Sequence, residues 1–201
     1  MRQSPLPLEA SERLAQAKIG VAGCGGMGSH VATALARTGV GRMVLADFDT
    51  VDPTNLFRQC YVPSDVGRRK TEALSESLLR IEPDLDLEVF DGKVTEENAC
   101  DVFSGCDVVC ECFDRPDMKA MLVESILSGT SGTVVVSCSG MAGFGSSNLI
   151  ATERRMSRLY VCGDGFSDSG EGPGLTAARV MVCAGHVANM AVRIVLGDDK
   201  P

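Results

Sequence analysis

Residues 21–39, VAGCGGMGSHVATALARTG, decide the fold. The stretch begins apolar, as a buried strand does, and passes through Gly23, Gly25, Gly26 and Gly28. Helical periodicity then runs from about Ser29 to Thr38, and Gly39 and Gly41 end it. Gly23, Gly25 and Gly28 fill a Gly-x-Gly-x-x-Gly pattern between strand and helix, the arrangement that cradles nucleotide phosphates. Glycine permits the tight turn and lets backbone amides approach phosphate oxygens, while the following helix directs its positive end at them. A strand–helix turn that binds nothing would use the same glycines, so the motif needs support from the rest of the chain.

Outward from this loop, apolar segments at 18–23, 42–49, 84–94, 107–113 and 132–141 read as strands. Helices are expected at 8–17, at 67–81 with Leu74, Leu78 and Ile81 on one face, within EENACDVFSG, at 117–129 and at 178–197. Strand and helix alternate from 18 to about 141, which implies an α/β, Rossmann-like, mostly parallel sheet with helices on both faces, in a single domain. Residues 1–17 form an N-terminal helical segment and 18–201 the nucleotide-binding domain. After Met141 the texture becomes rich in Gly and Ser, interrupted by the short strand RLYVC. The segment 163–174, GDGFSDSGEGPG, carries five glycines in twelve residues and is expected to be a mobile connection able to close over a substrate.

Composition narrows the function. A chain of 201 residues supports one full-sized core, and a formal net charge of -8 argues against a nucleic-acid or membrane-surface protein. The nine cysteines sit mostly in apolar stretches such as DVVCECF and VVVSCSG, and the N-terminal MRQSPLPLEASERL lacks the apolar core of a signal peptide. Small buried thiols in a cytoplasmic protein are therefore expected. No Cys-x-x-Cys pair occurs, so no structural zinc is expected, and no apolar run reaches about 18 residues, so no transmembrane helix is expected.

Asp47 lies 19 positions past Gly28 at the end of the second strand, where a carboxylate can accept hydrogen bonds from ribose hydroxyls. A dehydrogenase and an ATP enzyme fit equally well to this point. The segment 47–70, DFDTVDPTNLFRQCYVPSDVGRRK, separates them. Arg58, Lys70 and a further candidate, Arg69, can converge on a polyphosphate. Asn55 and Gln59 can orient it, and Asp49 or another acid can hold magnesium. The plainer reading is a solvated loop with ordinary surface charges.

DFDTVDPTNLFRQ followed by DVGRRK, with the doubled glycine of GCGGMG and the later CDVVCECFDRPDMK, resembles the adenylation domain of the ThiF family, relatives of the ubiquitin-activating enzymes. The resemblance spans about residues 10–195. It implies that Asp47 binds the ribose, that Asn55, Arg58, Gln59 and Lys70 contact the ATP phosphates, and that Asp114 sits beside the α-phosphate and Mg2+. Where the family pattern has Asn or another small polar residue after that Asp, this chain has Arg115. The resemblance further implies adenylation of the C-terminal glycine carboxylate of a small ubiquitin-like sulfur-carrier protein ending in Gly-Gly. The lack of a zinc module is similar to the short ThiF-like form, for which it implies thiamine biosynthesis.

In such a reaction pyrophosphate leaves as a carboxylate attacks phosphorus, and fixed cations and amides supply the catalysis. An ionised carboxylate needs no general base, so His30 and His186 read as structural. Many relatives carry a Cys in the late crossover loop that bonds to the carrier; Cys162 is the candidate here, with a strand-end thiol as its plainer reading. The family pairs two such domains, so a homodimer is expected. Arg13 is the candidate for an arginine reaching across to the partner's ATP, with an exposed helix arginine as its plainer reading. Two other functions stay open: a NAD-dependent oxidoreductase and a non-catalytic module that binds nucleotide or carrier.

Overall fold

The computed structural model describes residues 6–168 and 174–201. Seven strands form one sheet: β1 (Lys18–Ala22), β2 (Arg42–Asp47), β3 (Asp86–Asp91), β4 (Val108–Glu111), β5 (Val134–Cys138), β6 (Ala151–Met156) and β7 (Leu159–Gly163). Their order is β3-β2-β1-β4-β5-β7-β6, and every pair is parallel except β6 with β7. Beyond the expected strands lies β6, an edge strand with the charged sequence TERR, whose exposed side chains leave no apolar alternation to read.

The central strands are buried on both sides, which explains their continuous apolar sequences. Successive residues alternate between two cores: Ile19, Val21, Met43, Leu45, Val108 and Cys110 face one, and Val44, Ala46, Val109 and Val135 face the other. The first core is closed by α1 (Leu8–Gln16), α2 (Gly26–Thr38), α3 (Lys70–Ile81) and α6 (Ala177–Leu196), through Leu14, Leu35, Leu74 and Val187. The second is closed by α4 (Ala99–Val102) and α5 (Pro116–Gly129), through Ala99, Leu122 and Ile126. Helix α6 is long and apolar enough to cross a membrane by length and composition. It lies instead against α2 and the sheet, with Cys183, Ala184, Val187, Met190 and Ala191 buried.

Helix α2 begins at Gly26, three residues before the expected start, with Gly25 as N-cap, and the amide of Ser29 is the first to close a helical bond, to the Gly25 carbonyl (3.0 Å). The amides of Gly26, Met27 and Gly28 thus have no intrahelical acceptor. At the other end Gly39 adopts φ 97°, the left-handed cap that only glycine takes readily.

Candidate active site

The strand order turns back beside β1, with β2 on one flank and β4 on the other. Open α/β sheets bind ligands at the carboxyl ends of the strands at such a switch point. Here Gly23 follows β1, Asp47 ends β2 and Asp114 lies just past β4. Together they border a cavity of about 760 Å³ that is also lined by Gly25, Gly26, Asn55, Arg58, Gln59 and Lys70. The sequence-predicted nucleotide-site residues therefore converge, apart from Gly28 and Arg69. Gly28 is buried behind the loop, where a Cβ would stand 1.7 Å from the Gly23 carbonyl oxygen. Its role is to let helix and strand pack closely. Gly23 itself needs φ 92°.

Asp47, Lys70, Asn55 and Arg58 are held before any ligand arrives. Asp47 accepts the Cys24 amide on Oδ2 (2.6 Å) and the Asp49 amide on Oδ1 (2.7 Å), which ties the glycine loop to β2. The Lys70 ammonium is 2.7 Å from Asp49 Oδ2, and only 6% of the residue is exposed. Arg58 donates to Asn55 Oδ1 (2.7 Å), and its guanidinium lies over the Phe57 ring. This pairing follows from a 3-10 turn, Pro53–Arg58, that starts on the Asp52 cap and places the two side chains three residues apart. The Tyr61 hydroxyl, 2.7 Å from the Cys24 carbonyl and 3.2 Å from that of Lys70, bridges loop and helix; burial pushes its pKa up.

Gln59 gives the test of fit for a nucleotide. It is 7% exposed, and its Oε1 has no hydrogen-bond partner. A buried carbonyl left so costs about 1–3 kcal/mol, a penalty relieved when a ligand supplies a donor, which a nucleotide's ribose hydroxyls and base amine can be and its phosphates cannot. Asp114 is exposed at the cavity mouth. Among the described residues no group of three or more His, Cys, Asp or Glu could hold a metal. One carboxylate completed by substrate phosphates is how Mg2+ is commonly held, so Asp114 fits that use and no self-contained metal site.

Sequence reasoning missed a charged network under Asp114. Glu111, wholly buried at the end of β4, accepts the Phe113 amide (2.7 Å), the Ser137 hydroxyl (2.6 Å) and the Lys119 ammonium (2.7 Å). Lys119 also donates to the Phe113 carbonyl (3.0 Å) and lines the cavity with Cys138. Burial works to lower its pKa, but Cys138 and the Glu111 carboxylate outweigh burial and raise it. The available signal was Glu111 itself, a charge inside the apolar run DVVCECF, which demands a partner.

The remaining candidates are placed as follows. Arg69 turns from the cavity to Asp91, with Nε to both carboxylate oxygens at 2.8 and 2.9 Å. Arg13 caps its own chain: Nη1 and Nη2 donate to the carbonyls of Leu196 and Val195, both at 2.7 Å, satisfying the last turn of α6. It is therefore committed within the protomer. Cys162 is buried inside β7 beside Thr152, and burial pushes its thiol up to about 12, so this conformation presents no accessible thiolate and matches the plainer reading. Arg115 pairs with Asp117 on the surface, at 2.6 Å. His186 bonds Thr152 (3.1 Å). The middle of the expected lid, residues 169–173, lies outside the described residues; Gly165, Phe166, Ser167 and Asp168 before it line the cavity.

A second cavity of about 600 Å³ adjoins the first and shares Ala142, Phe166, Ser167 and Asp168 with it. Its rim carries the exposed side chains of Phe144, Leu149 and Phe166, and its floor the buried ion pair of Arg179 with Asp164.

Comparison with known proteins gives the chain's relatives and its family. The chain is 40% identical over 113 residues to the tRNA threonylcarbamoyladenosine dehydratase of Haemophilus influenzae, covering 55% of the chain and 43% of that protein. It is 28% identical over 158 residues to the sulfur carrier protein ThiS adenylyltransferase of Escherichia coli, covering 78% of the chain and 62% of that protein. The chain thus spans less than two thirds of either relative's own length. The E. coli tRNA N6-threonylcarbamoyladenosine dehydratase solved in complex with ATP shares the fold, with a TM-score of 0.86 at 23% identity over 94% of this chain and 90% of that one. The ThiF family model matches residues 1–201, and the chain belongs to the ThiF family.

Proposed function

We propose that the chain is an ATP-dependent adenylyltransferase that activates a carboxylate, with the C-terminal glycine of a small ubiquitin-like sulfur-carrier protein as its substrate. The observation that carries the reading is the convergence of Asp47, Asn55, Arg58, Gln59, Lys70 and Asp114 on one cavity beside the glycine loop. ATP bound there would supply the electrophilic α-phosphorus and the pyrophosphate leaving group. Arg58, Lys70 and the free amides of α2 hold the phosphates and meet the charge that grows on their oxygens. Asn55 keeps Arg58 aimed, Asp47 receives the ribose, and Asp114 receives Mg2+. No side chain has to take a proton, because the attacking carboxylate is already ionised at neutral pH.

The adjoining cavity supports a protein tail as the carboxylate donor. It is edged by Phe144 and Phe166 and shares Ala142, Phe166, Ser167 and Asp168 with the nucleotide cavity, which suits an extended peptide whose free end reaches the nucleotide. The 40% identity to a relative named for tRNA favours RNA as a second reading, and the net charge of -8 weighs against it. Thiamine synthesis as the pathway, a cytoplasmic location and a homodimer belong to the same proposal. The test is ATP–pyrophosphate exchange with added carrier. Exchange that depends on a carrier ending in Gly-Gly supports the reading, and exchange that depends instead on tRNA transfers the substrate to the second.

A further inference from the structure

His30 and Cys60 are the part of this region that the chemistry above does not use. His30 lies in the second turn of α2, and Cys60 directly follows Gln59. Cys60 Sγ is 2.9 Å from His30 Nδ1, and His30 Nε2 is 3.2 Å from the carbonyl oxygen of Arg58. Two assignments of protons satisfy both contacts, an imidazolium between the carbonyl and a thiolate or a neutral ring that accepts the thiol proton, and burial, which raises the Cys60 pKa, favours the second. The carbonyl can only accept, so Nε2 carries the hydrogen; a neutral imidazole then has a bare Nδ1, which accepts the thiol proton. Burial lowers the His30 pKa and favours that neutral ring. A third bond closes the clip, from the Cys60 amide to the buried Ser29 hydroxyl (3.1 Å). Gly26 faces the same segment: a Cβ there would lie 3.4 Å from Arg58 Cγ and 3.5 Å from the Arg58 carbonyl oxygen, ordinary contact distances.

The carbonyl that His30 holds belongs to the peptide joining Arg58 to Gln59. Fixing that plane fixes ψ of Arg58 and φ of Gln59, and with them the directions in which both side chains leave the backbone. Both side chains line the nucleotide cavity, and Arg58 is proposed to hold the phosphates. We propose that His30 is a positioning residue of the nucleotide site, aiming Arg58 and Gln59 through their shared peptide, and that the Cys60 thiol sets the His30 tautomer this requires. The inference rests on the ATP reading of the cavity. It also explains why one half-buried cysteine of this chain is paired with an imidazole while Cys24, Cys110 and Cys138 are buried in the core.

The test is calorimetric titration of the full chain with ATP and Mg2+ in matched variants, each checked for folding by circular dichroism. His30→Ala is expected to weaken binding about tenfold, the scale of one well-placed hydrogen bond. His30→Gln, whose amide can still donate to the carbonyl, and Cys60→Ser, which keeps a donor to Nδ1, are expected within about threefold of wild type, while Cys60→Ala falls between. In an Arg58→Ala background His30→Ala should cost much less, because the group being aimed is gone. Wild-type affinity in His30→Ala, the same loss in both backgrounds, or no rescue by His30→Gln would overturn the proposal. If wild type binds no ATP, the nucleotide reading fails, and the clip is judged by long-range ¹H–¹⁵N spectra and amide exchange. A bare Nδ1 in wild type, with faster exchange at Gln59 and Cys60 in His30→Ala, would keep the positioning of this peptide; a protonated Nδ1 would remove it.

Discussion

Lys119 and Glu111 form an ion pair beneath the cavity, Nζ to Oε2 at 2.7 Å, with the Glu111 side chain wholly buried. The same ammonium holds the carbonyl of Phe113, the residue before Asp114. The pair therefore links the end of β4 to the first turn of α5 and shapes the backbone that presents Asp114. Lys119→Met should destabilise the fold by about 3–5 kcal/mol, since it leaves a buried carboxylate without its cation. Adding Glu111→Gln should restore part of that loss. Urea unfolding of the single and double variants measures both effects, and equal stability of Lys119→Met and wild type would refute the link.

Arg58→Ala and Lys70→Ala should leave the chain folded and reduce adenylation about a hundredfold or more, each losing a charge-assisted contact to phosphate. Lys70 carries an additional effect, because its removal leaves Asp49 facing the phosphates unpaired. Asp49→Ala should therefore partly rescue Lys70→Ala. Pyrophosphate exchange rates compare the variants, and wild-type rates in either single variant would take that residue out of the site.

Gly28→Ala places a methyl carbon 1.7 Å from the Gly23 carbonyl oxygen, a backbone atom that cannot move without opening the loop. The expected result is a loss of more than about 3 kcal/mol or failure to fold. Gly25→Ala meets only the Gln59 amide, at 3.9 Å, so it should fold normally. Thermal melts of the two variants give the comparison, and equal melting temperatures would contradict the packing role of Gly28.

Asp164 supplies a pH test. Burial acts to raise its pKa, but the Ser167 and Phe166 amides, the Ser167 hydroxyl and the Arg179 guanidinium outweigh burial and hold it at about 2, below the ordinary 3.8. The folded state binds this proton less readily than the unfolded chain does. The resulting stability is present above about pH 4 and is lost as pH falls toward 2. Asp164→Asn should melt lower at neutral pH and lose less between neutral pH and about pH 2.5 than wild type does. Parallel melting curves for the two proteins across that range would contradict the assignment.

The fold and the outline of the site were legible because their signals are local. The glycine loop, Asp47 and the 55–70 segment each lie in one short stretch, and apolar strands buried on both faces declare themselves by composition. What stayed hidden depends on side-chain pairings that no local pattern shows. Glu111 meets Lys119 across a strand–helix turn, His30 meets Cys60 thirty residues away, and Arg13 finds the end of α6 more than 180 residues on. Arg69 looked like a phosphate ligand because its partner Asp91 belongs to a neighbouring strand. Cys162 was a candidate because the sequence did not reveal that its side chain faces the core with Cys183 and Val187.

The central claim is that this cavity is built for ATP. It is tested most directly by calorimetric titration of the wild-type chain with ATP and Mg2+, and separately with NAD. One saturable site per chain for ATP, with no heat of binding for NAD, is the predicted result. Saturable binding of NAD with none of ATP would contradict the account and assign the glycine loop to a dinucleotide.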